Sequence, residues 1–278
     1  MDWGSESGEA ERLTIDHQTE LHTSVPATVS NEDLEDVLAA EVMAGPESGN
    51  PHINGEYLRN NPGWHAPTSE WKAGEIMKML DRHNLLPKTV GEVGCGAGEV
   101  LRQLQLRMPP DCEFIGYDIA PQAIEMCKER ENDRLHCELA DVCAIETPPF
   151  DLMLILEVVD HVEDYFSFLR TLKSRSTYKL FHFSLDLSVQ NALRKGALLK
   201  QRDVYVHLHY FNKETILRTL EETGYEIVDH FYTPFGIKFA GGGVGKWVIR
   251  PLRRSFFQVN EDLAVRVLGG YRLLVLAR

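Results

Sequence analysis

Three carboxylates in this chain are spaced so that one ligand would meet all of them. Glu92 stands two residues ahead of Gly94 in Glu92-Val-Gly-Cys-Gly-Ala-Gly98, where glycine occupies every second position of the turn. Asp118 follows twenty residues after Gly98, and Asp141 twenty-three residues after that. Alternating glycines at a strand-to-helix junction let the backbone take positive φ and let a ligand lie against the main chain. A carboxylate ending the next strand can accept both hydroxyls of a ribose. An acid one strand further can accept from an exocyclic amine of adenine while the following N–H, that of Val142, donates to the ring. The dinucleotide pattern G-x-G-x-x-G does not fit, because its third glycine would fall at position 99, which is Glu. Three acids suit a cationic adenosine ligand and suit a pyrophosphate poorly.

The elements that must position these acids alternate in type. Val90 and Val93 begin a buried strand, and Glu99 opens an amphipathic helix through Leu106. Glu113–Asp118 reads as the second strand, with Pro121 in the first turn of the helix behind it. Leu135–Leu139 reads as the third, and the continuous apolar run Phe150–Leu156 as a fourth that is buried on both faces. Tyr178–Ser184 is a fifth. Asn212 caps a helix that Gly224 closes, Tyr225–Tyr232 is a sixth strand, and Tyr271–Ala277 a seventh. Upstream, Thr68 or Ser69 is expected to cap a helix running to His83. Repeated β-α-β units predict an α/β fold with a mostly parallel sheet covered by helices on both faces. Leu185–Phe211 and Thr233–Gly270 interrupt the alternation. They are candidates for a substrate cover, because ligands of open α/β sheets bind beyond the carboxyl ends of the strands.

Composition narrows the class. The 278 residues suffice for one large domain with appendages. Of the net charge of −13, residues 1–50 hold −11, with twelve Asp and Glu against one Arg, so the body carries only −2. Neither part offers a basic field, which disfavours a nucleic-acid partner. No apolar run is long enough to span a membrane, so no membrane partner is expected. The N-terminus lacks a basic and apolar leader. Five cysteines, an odd number without a CxxC pair, predict reduced, buried thiols in a cytoplasmic protein, with neither disulfide nor zinc site. Three regions are expected: an acidic segment 1–50, mobile over its first thirty residues with a short helix over Asn31–Met43; a loop and helix over 51–86; and the main domain 87–278 with insertions at 185–211 and 233–270.

Glu92-x-Gly94-x-Gly96-x-Gly98, Asp118, Asp141 and the run Phe150 to Asp164 together resemble the class I S-adenosylmethionine-dependent methyltransferases, over residues 65–232 plus the last strand. The resemblance implies a Rossmann-like doubly wound sheet of order 3-2-1-4-5-7-6 with an antiparallel last strand. It implies S-adenosyl-L-methionine as cofactor. Glu92, Gly94, Cys95 and Gly96 would support it, Asp118 and Ile119 would hold the ribose, and Asp141 and Val142 the adenine. Leu156 and Glu157 would line the methionine side. The 38-residue connection 233–270 departs from the tight hairpin usual in this fold. The segment His207–Phe211 resembles small-molecule members, among them quinone-type O-methyltransferases.

The implied reaction is methyl transfer to a small-molecule acceptor, with oxygen the favoured nucleophile. His161, just beyond the fourth strand, is the first candidate for general base, because histidine titrates near working pH. The competing reading is that it packs the Val162–Tyr165 turn. Candidates for the acceptor side are Trp64, His65, His182, Asp186, His209 and Tyr210. His182 alternates with Phe181 and Phe183 and is equally suited to the core, and the spacing of His207 and His209 is equally suited to a structural role. Asp186 with Asn191 has unconvincing spacing for a metal, so no metal is assigned. A cofactor-binding regulatory subunit acting through the acidic head is the alternative function. The state of assembly stays open, a homodimer included.

Overall fold

The computed structural model describes residues 49–239 and 244–278. The expected helix at 31–43 and all but the last residues of the acidic segment lie outside them. Seven strands form one sheet of order β3-β2-β1-β4-β5-β7-β6. They are β1 Thr89–Val93, β2 Glu113–Asp118, β3 Leu135–Leu139, β4 Phe150–Leu156, β5 Ser176–Ser184, β6 Ile227–Thr233 and β7 Arg272–Ala277. β1 to β5 run parallel, and β7 lies antiparallel between β5 and β6.

The central strands are apolar because helices cover both of their faces. Leu152, Met153, Leu154 and Ile155 of β4 are all buried. Met153 and Ile155 join one core with Phe181, Phe183, Leu169 and Leu273. Leu152 and Leu154 join the other with Ile76, Met79, Leu80, Leu101 and Phe114. Each fully buried side chain of this size contributes about 1.5–3 kcal/mol.

Some boundaries differ from the sequence expectation, each for a local reason. The N-terminal helix is Ala66–Arg82 and starts ahead of Thr68. Pro67 fits its first turn, where no amide donor is needed, and the Thr68 hydroxyl donates to the His65 carbonyl at 2.9 Å. Tyr225 belongs to the helix closure and not to β6: its N–H donates to Leu220 O at 2.9 Å and its hydroxyl to Leu169 O at 2.6 Å. The expectation of unpaired thiols is corrected at one pair. Cys127 and Cys137 are disulfide-bonded with Cα atoms 6.3 Å apart, while Cys95, Cys112 and Cys143 are free. Sequence spacing could not show this, because the pairing arises from the helix Pro121–Lys128 packing on β3.

The topology decides what reaches the carboxyl ends of the parallel strands. β7 runs backwards, so its first residue, Arg272, pairs with the last residues of β5 and β6, Ser184 and Thr233. An antiparallel strand thereby delivers a cation from residue 272 to the end of the sheet where β1, β2 and β4 deliver their acids. The insertion 185–211 carries helices Val189–Leu193 and Ala197–Tyr205, and the β6–β7 connection carries Phe235–Lys238, Val244–Val259 and Glu261–Leu268.

Candidate functional site

Parallel pairing places the ends of β1 and β2 side by side, with Glu92 opposite Gly116 and Val93 opposite Tyr117. The glycine turn then folds back on β2. The N–H groups of Gly94 and Cys95 donate to Tyr117 O at 2.8 and 3.0 Å, and that of Gly96 donates to Asp118 Oδ2 at 2.8 Å. Gly98, at φ 71°, caps the helix Glu99–Gln105, and a Cβ there would lie 2.2 Å from Cys127 Sγ. Both a left-handed backbone and close packing therefore demand glycine.

Asp118 also accepts from Ala120 N at 2.9 Å through Oδ1. A carboxylate has about four lone-pair sites, so Asp118 keeps acceptor capacity for further donors. Burial pushes its pKa up to about 6, opposed by the bonds from Ala120, Gly96 and Ile119. Asp141 is two residues past β3 and accepts from Cys143 N at 2.8 Å. Glu92 is 2% exposed, and its Oε2 has no hydrogen-bond partner among the described residues. Burial is the main cause that raises its pKa to about 8, against the opposing charge of Lys72.

A cleft of about 1040 Å³ opens over these groups. Every residue expected to hold the cofactor lines it: Glu92, Gly94, Cys95 and Gly96, then Asp118 and Ile119, Asp141 and Val142, Leu156 and Glu157. Glu157, at φ 61°, is the hub of a buried charge cluster. It accepts from Arg272 Nη1 and from His182 Nδ1 at 2.9 Å, and pairs with Lys72 Nζ at 3.2 Å. Burial alone would raise its pKa, but Arg272 and Lys72 hold it well below the usual carboxylate range.

The acceptor side is built from the N-terminal loop and the first insertion. Tyr57 donates to or accepts from His65 Nε2 at 2.9 Å, and its ring lies 4.9 Å from that of Trp64 and 4.5 Å from that of His52. His161 lines the cleft between this loop and the insertion. Its Nδ1 is 3.1 Å from Val206 O. A carbonyl can only accept, so Nδ1 carries the hydrogen and Nε2 keeps a lone pair. Burial lowers the pKa of His161, and the nearby charge of His207 adds to this against the opposing pull of Asp160. The ring is therefore neutral near pH 7.

The structure divides the expected acceptor residues. Trp64, His65 and Asp186 line the cleft. His182, His209 and Tyr210 do not, because their polar atoms are spent on the scaffold. His182 is buried between Glu157 and Thr233 Oγ1, the latter at 2.8 Å. His209 Nε2 donates to Val162 O at 3.0 Å and Glu163 O at 3.2 Å, and the Tyr210 hydroxyl donates to Leu198 O at 2.9 Å. Sequence reasoning missed Lys72, Arg272, Tyr57 and Tyr205, all of which line the cleft. Lys72 sits on an otherwise amphipathic helix and gave no signal. Arg272, polar at the start of an apolar strand, was the one detectable exception.

A methyltransferase-domain family matches residues 68–230. The chain belongs to the S-adenosylmethionine-dependent methyltransferases. Among solved structures, a putative O-methyltransferase from Nostoc punctiforme aligns with a TM-score of 0.57 and 11% identity, covering 88% of this chain and 68% of that one. The putative methyltransferase bound to a methyltransferase activator from Haloferax volcanii aligns with a TM-score of 0.56 and 14% identity, covering 83% and 96%. Both likenesses show the shared fold. No curated protein matches this chain by sequence.

The residues present fit the cofactor. Glu92 Oε2 is a buried acceptor with no donor among the described residues, and the α-ammonium of S-adenosylmethionine is such a donor. Buried polar atoms are rarely left unpaired.

Proposed function

We propose that this methyltransferase transfers the methyl group to an oxygen of a small molecule, with His161 taking the hydroxyl proton. When bound, the sulfonium supplies an activated methyl group. The protein must hold the acceptor in line with it and remove a proton. The observation that carries the proposal is the hydrogen bond from His161 Nδ1 to Val206 O, which leaves Nε2 as an acceptor on a residue lining the cleft. A neutral imidazole with a lowered pKa accepts a proton in the transition state without being protonated beforehand.

The cleft, at about 1040 Å³, lies at the upper end of the ~300–1,000 Å³ of usual ligand pockets, which supports a small acceptor beside the cofactor. The rings of Tyr57, Trp64, His52 and His161 favour a planar acceptor such as a phenol. The body of the chain has no basic field for a nucleic acid. Within the site, Glu92 would take the ammonium, Asp118 the ribose hydroxyls and Asp141 the adenine amine.

The experiment has two parts. Calorimetry with S-adenosylhomocysteine establishes the cofactor site. Transfer of labelled methyl to matched sets of phenols, alcohols and amines, with wild type and His161→Gln, then tests the chemistry. Methylation of phenols that falls about 10²–10⁴-fold in the variant is expected. Methylation of amines alone, or full turnover by His161→Gln, would refute the proposal.

A further inference from the structure

We infer that Val206 and His207 are a positioning element for the base: a clamp of Asp160 and Asp186 on His207 holds Val206 in a strained conformation that aims its carbonyl at His161 Nδ1. The inference rests on the reading of His161 as the base, and it explains how that histidine is kept in its accepting tautomer.

Val206 follows the helix Ala197–Tyr205 at φ 60° and ψ 32°. A left-handed residue after a helix is usually glycine. A β-branched side chain is strained there. Such strain persists only where neighbours impose it, and the imposing contacts are present. His207 Nδ1 lies 2.7 Å from Asp186 Oδ2, and its Nε2 lies 3.6 Å from Asp160 Oδ2. With one carboxylate hydrogen-bonded at Nδ1 and the charge of a second 3.6 Å from Nε2, the imidazolium is the favoured form of His207. Burial opposes that charge, but the Asp186 hydrogen bond and the Asp160 charge outweigh it and raise the His207 pKa.

Each carboxylate has its own anchor. Asp186 Oδ1 accepts from Gln201 Nε2 at 3.3 Å, and its carbonyl from Asn191 Nδ2 at 2.9 Å. Asp160 is 1% exposed, and neither of its carboxylate oxygens has a hydrogen bond among the described residues. A buried carboxylate left so bare is costly, and the facing His207 charge offsets that cost. The Asp160 carbonyl accepts from Leu208 N at 2.8 Å and His209 N at 3.2 Å. Residues 206–209 are thus sewn to the Val159–His161 turn, and Val206 O is carried to His161.

The groups facing His161 are His52, Tyr57 and His65 from the N-terminal loop, Glu157 and Asp160 from the end of β4, and His207 from the insertion. His207 is the nearest ring across the insertion, at 5.1 Å between centroids. The two adjacent histidines are pushed in opposite directions, one toward the neutral base and one toward the fixed cation.

Nitrogen-15 NMR of the full-length protein labelled at histidine tests this without an acceptor. In wild type, His161 is expected as the Nδ1-protonated tautomer, and His207 as an imidazolium at a pH where His161 is neutral. In Asp186→Asn and His207→Gln, the Nδ1-protonated form of His161 should lose its dominance. In His207→Gln the His161 midpoint should also rise by about one pH unit, because a cation at this distance is removed. A neutral His207 at pH 6.5 in wild type would overturn the inference by itself, whether or not the variants fold. So would an unchanged His161 tautomer in both folded variants. Failure of the base assignment reads differently: His161→Gln would keep its turnover while the wild-type tautomer and the His207 charge remained as stated.

Discussion

Burial pushes the pKa of the Glu92 carboxyl up to about 8 and leaves its Oε2 bare, which predicts a protonated Glu92 in the cofactor-free protein at neutral pH. A cofactor ammonium beside that oxygen favours the carboxylate, so binding must expel the proton. At pH 6 about 1% of Glu92 is ionised and at pH 8 about half, so affinity for S-adenosylhomocysteine should rise about 50-fold over that interval if binding returns the group to its ordinary range. That is about 2.3 kcal/mol. Calorimetry at pH 6 in two buffers of different ionisation enthalpy should show close to one proton released per molecule bound. In Glu92→Gln the pH dependence should shrink to the roughly two-fold change left by Asp118, whose pKa is about 6, and affinity at pH 8 should fall about 10–100-fold through loss of a charge-assisted bond. A flat wild-type profile with no proton release would refute the placement of the ammonium on Glu92. The same would follow if Glu92→Gln kept the slope.

The raised pKa of Glu92 also bears on folding. An acid whose folded pKa lies above its unfolded value stabilises at low pH and loses that contribution as pH rises through about 8. Between pH 6 and 8 the cofactor-free wild type should therefore lose about 2 kcal/mol relative to Glu92→Gln, read as a relative fall in Tm of about 5 °C. Asp118→Ala strands the N–H groups of Gly96 and Ala120 as well as the ribose, and calorimetry should find cofactor affinity reduced at least about 100-fold. Gly98→Ala forces a Cβ against Cys127 Sγ at a left-handed position, and denaturant titration should show a loss of about 2–4 kcal/mol. Glu157→Ala leaves Lys72 and Arg272 buried without their carboxylate, which should cost about 3–5 kcal/mol of stability in the same measurement. A stable Glu157→Ala protein would mean that the cluster is open to water.

Much of the fold was legible because it depends on periods and punctuation that one segment carries by itself. The apolar run of β4, the glycine turn, Pro121 and the Asn212 cap each specify local geometry, and their alternation specifies a parallel sheet. Spacing alone also placed Glu92, Asp118 and Asp141 at one edge, since parallel strands of similar length bring their carboxyl ends level. The order of the strands came from the family resemblance rather than from any period.

Tertiary structure decided what depends on contacts between distant segments. His182 and His209 are spaced like site residues, yet their nitrogens are consumed by Thr233, Glu157 and the backbone at 162–163. Arg272 and Lys72, 200 positions apart, meet on Glu157 only because β7 runs antiparallel and the N-terminal helix packs over the strand ends. Cys127 and Cys137 pair across a helix and a strand. Spacing was enough to place the acids at the carboxyl ends of the strands. Only the folded chain decided which nitrogen of His161 is left to accept, because a tautomer is set by the partner of the other nitrogen, and for His161 that partner is a carbonyl 45 residues away.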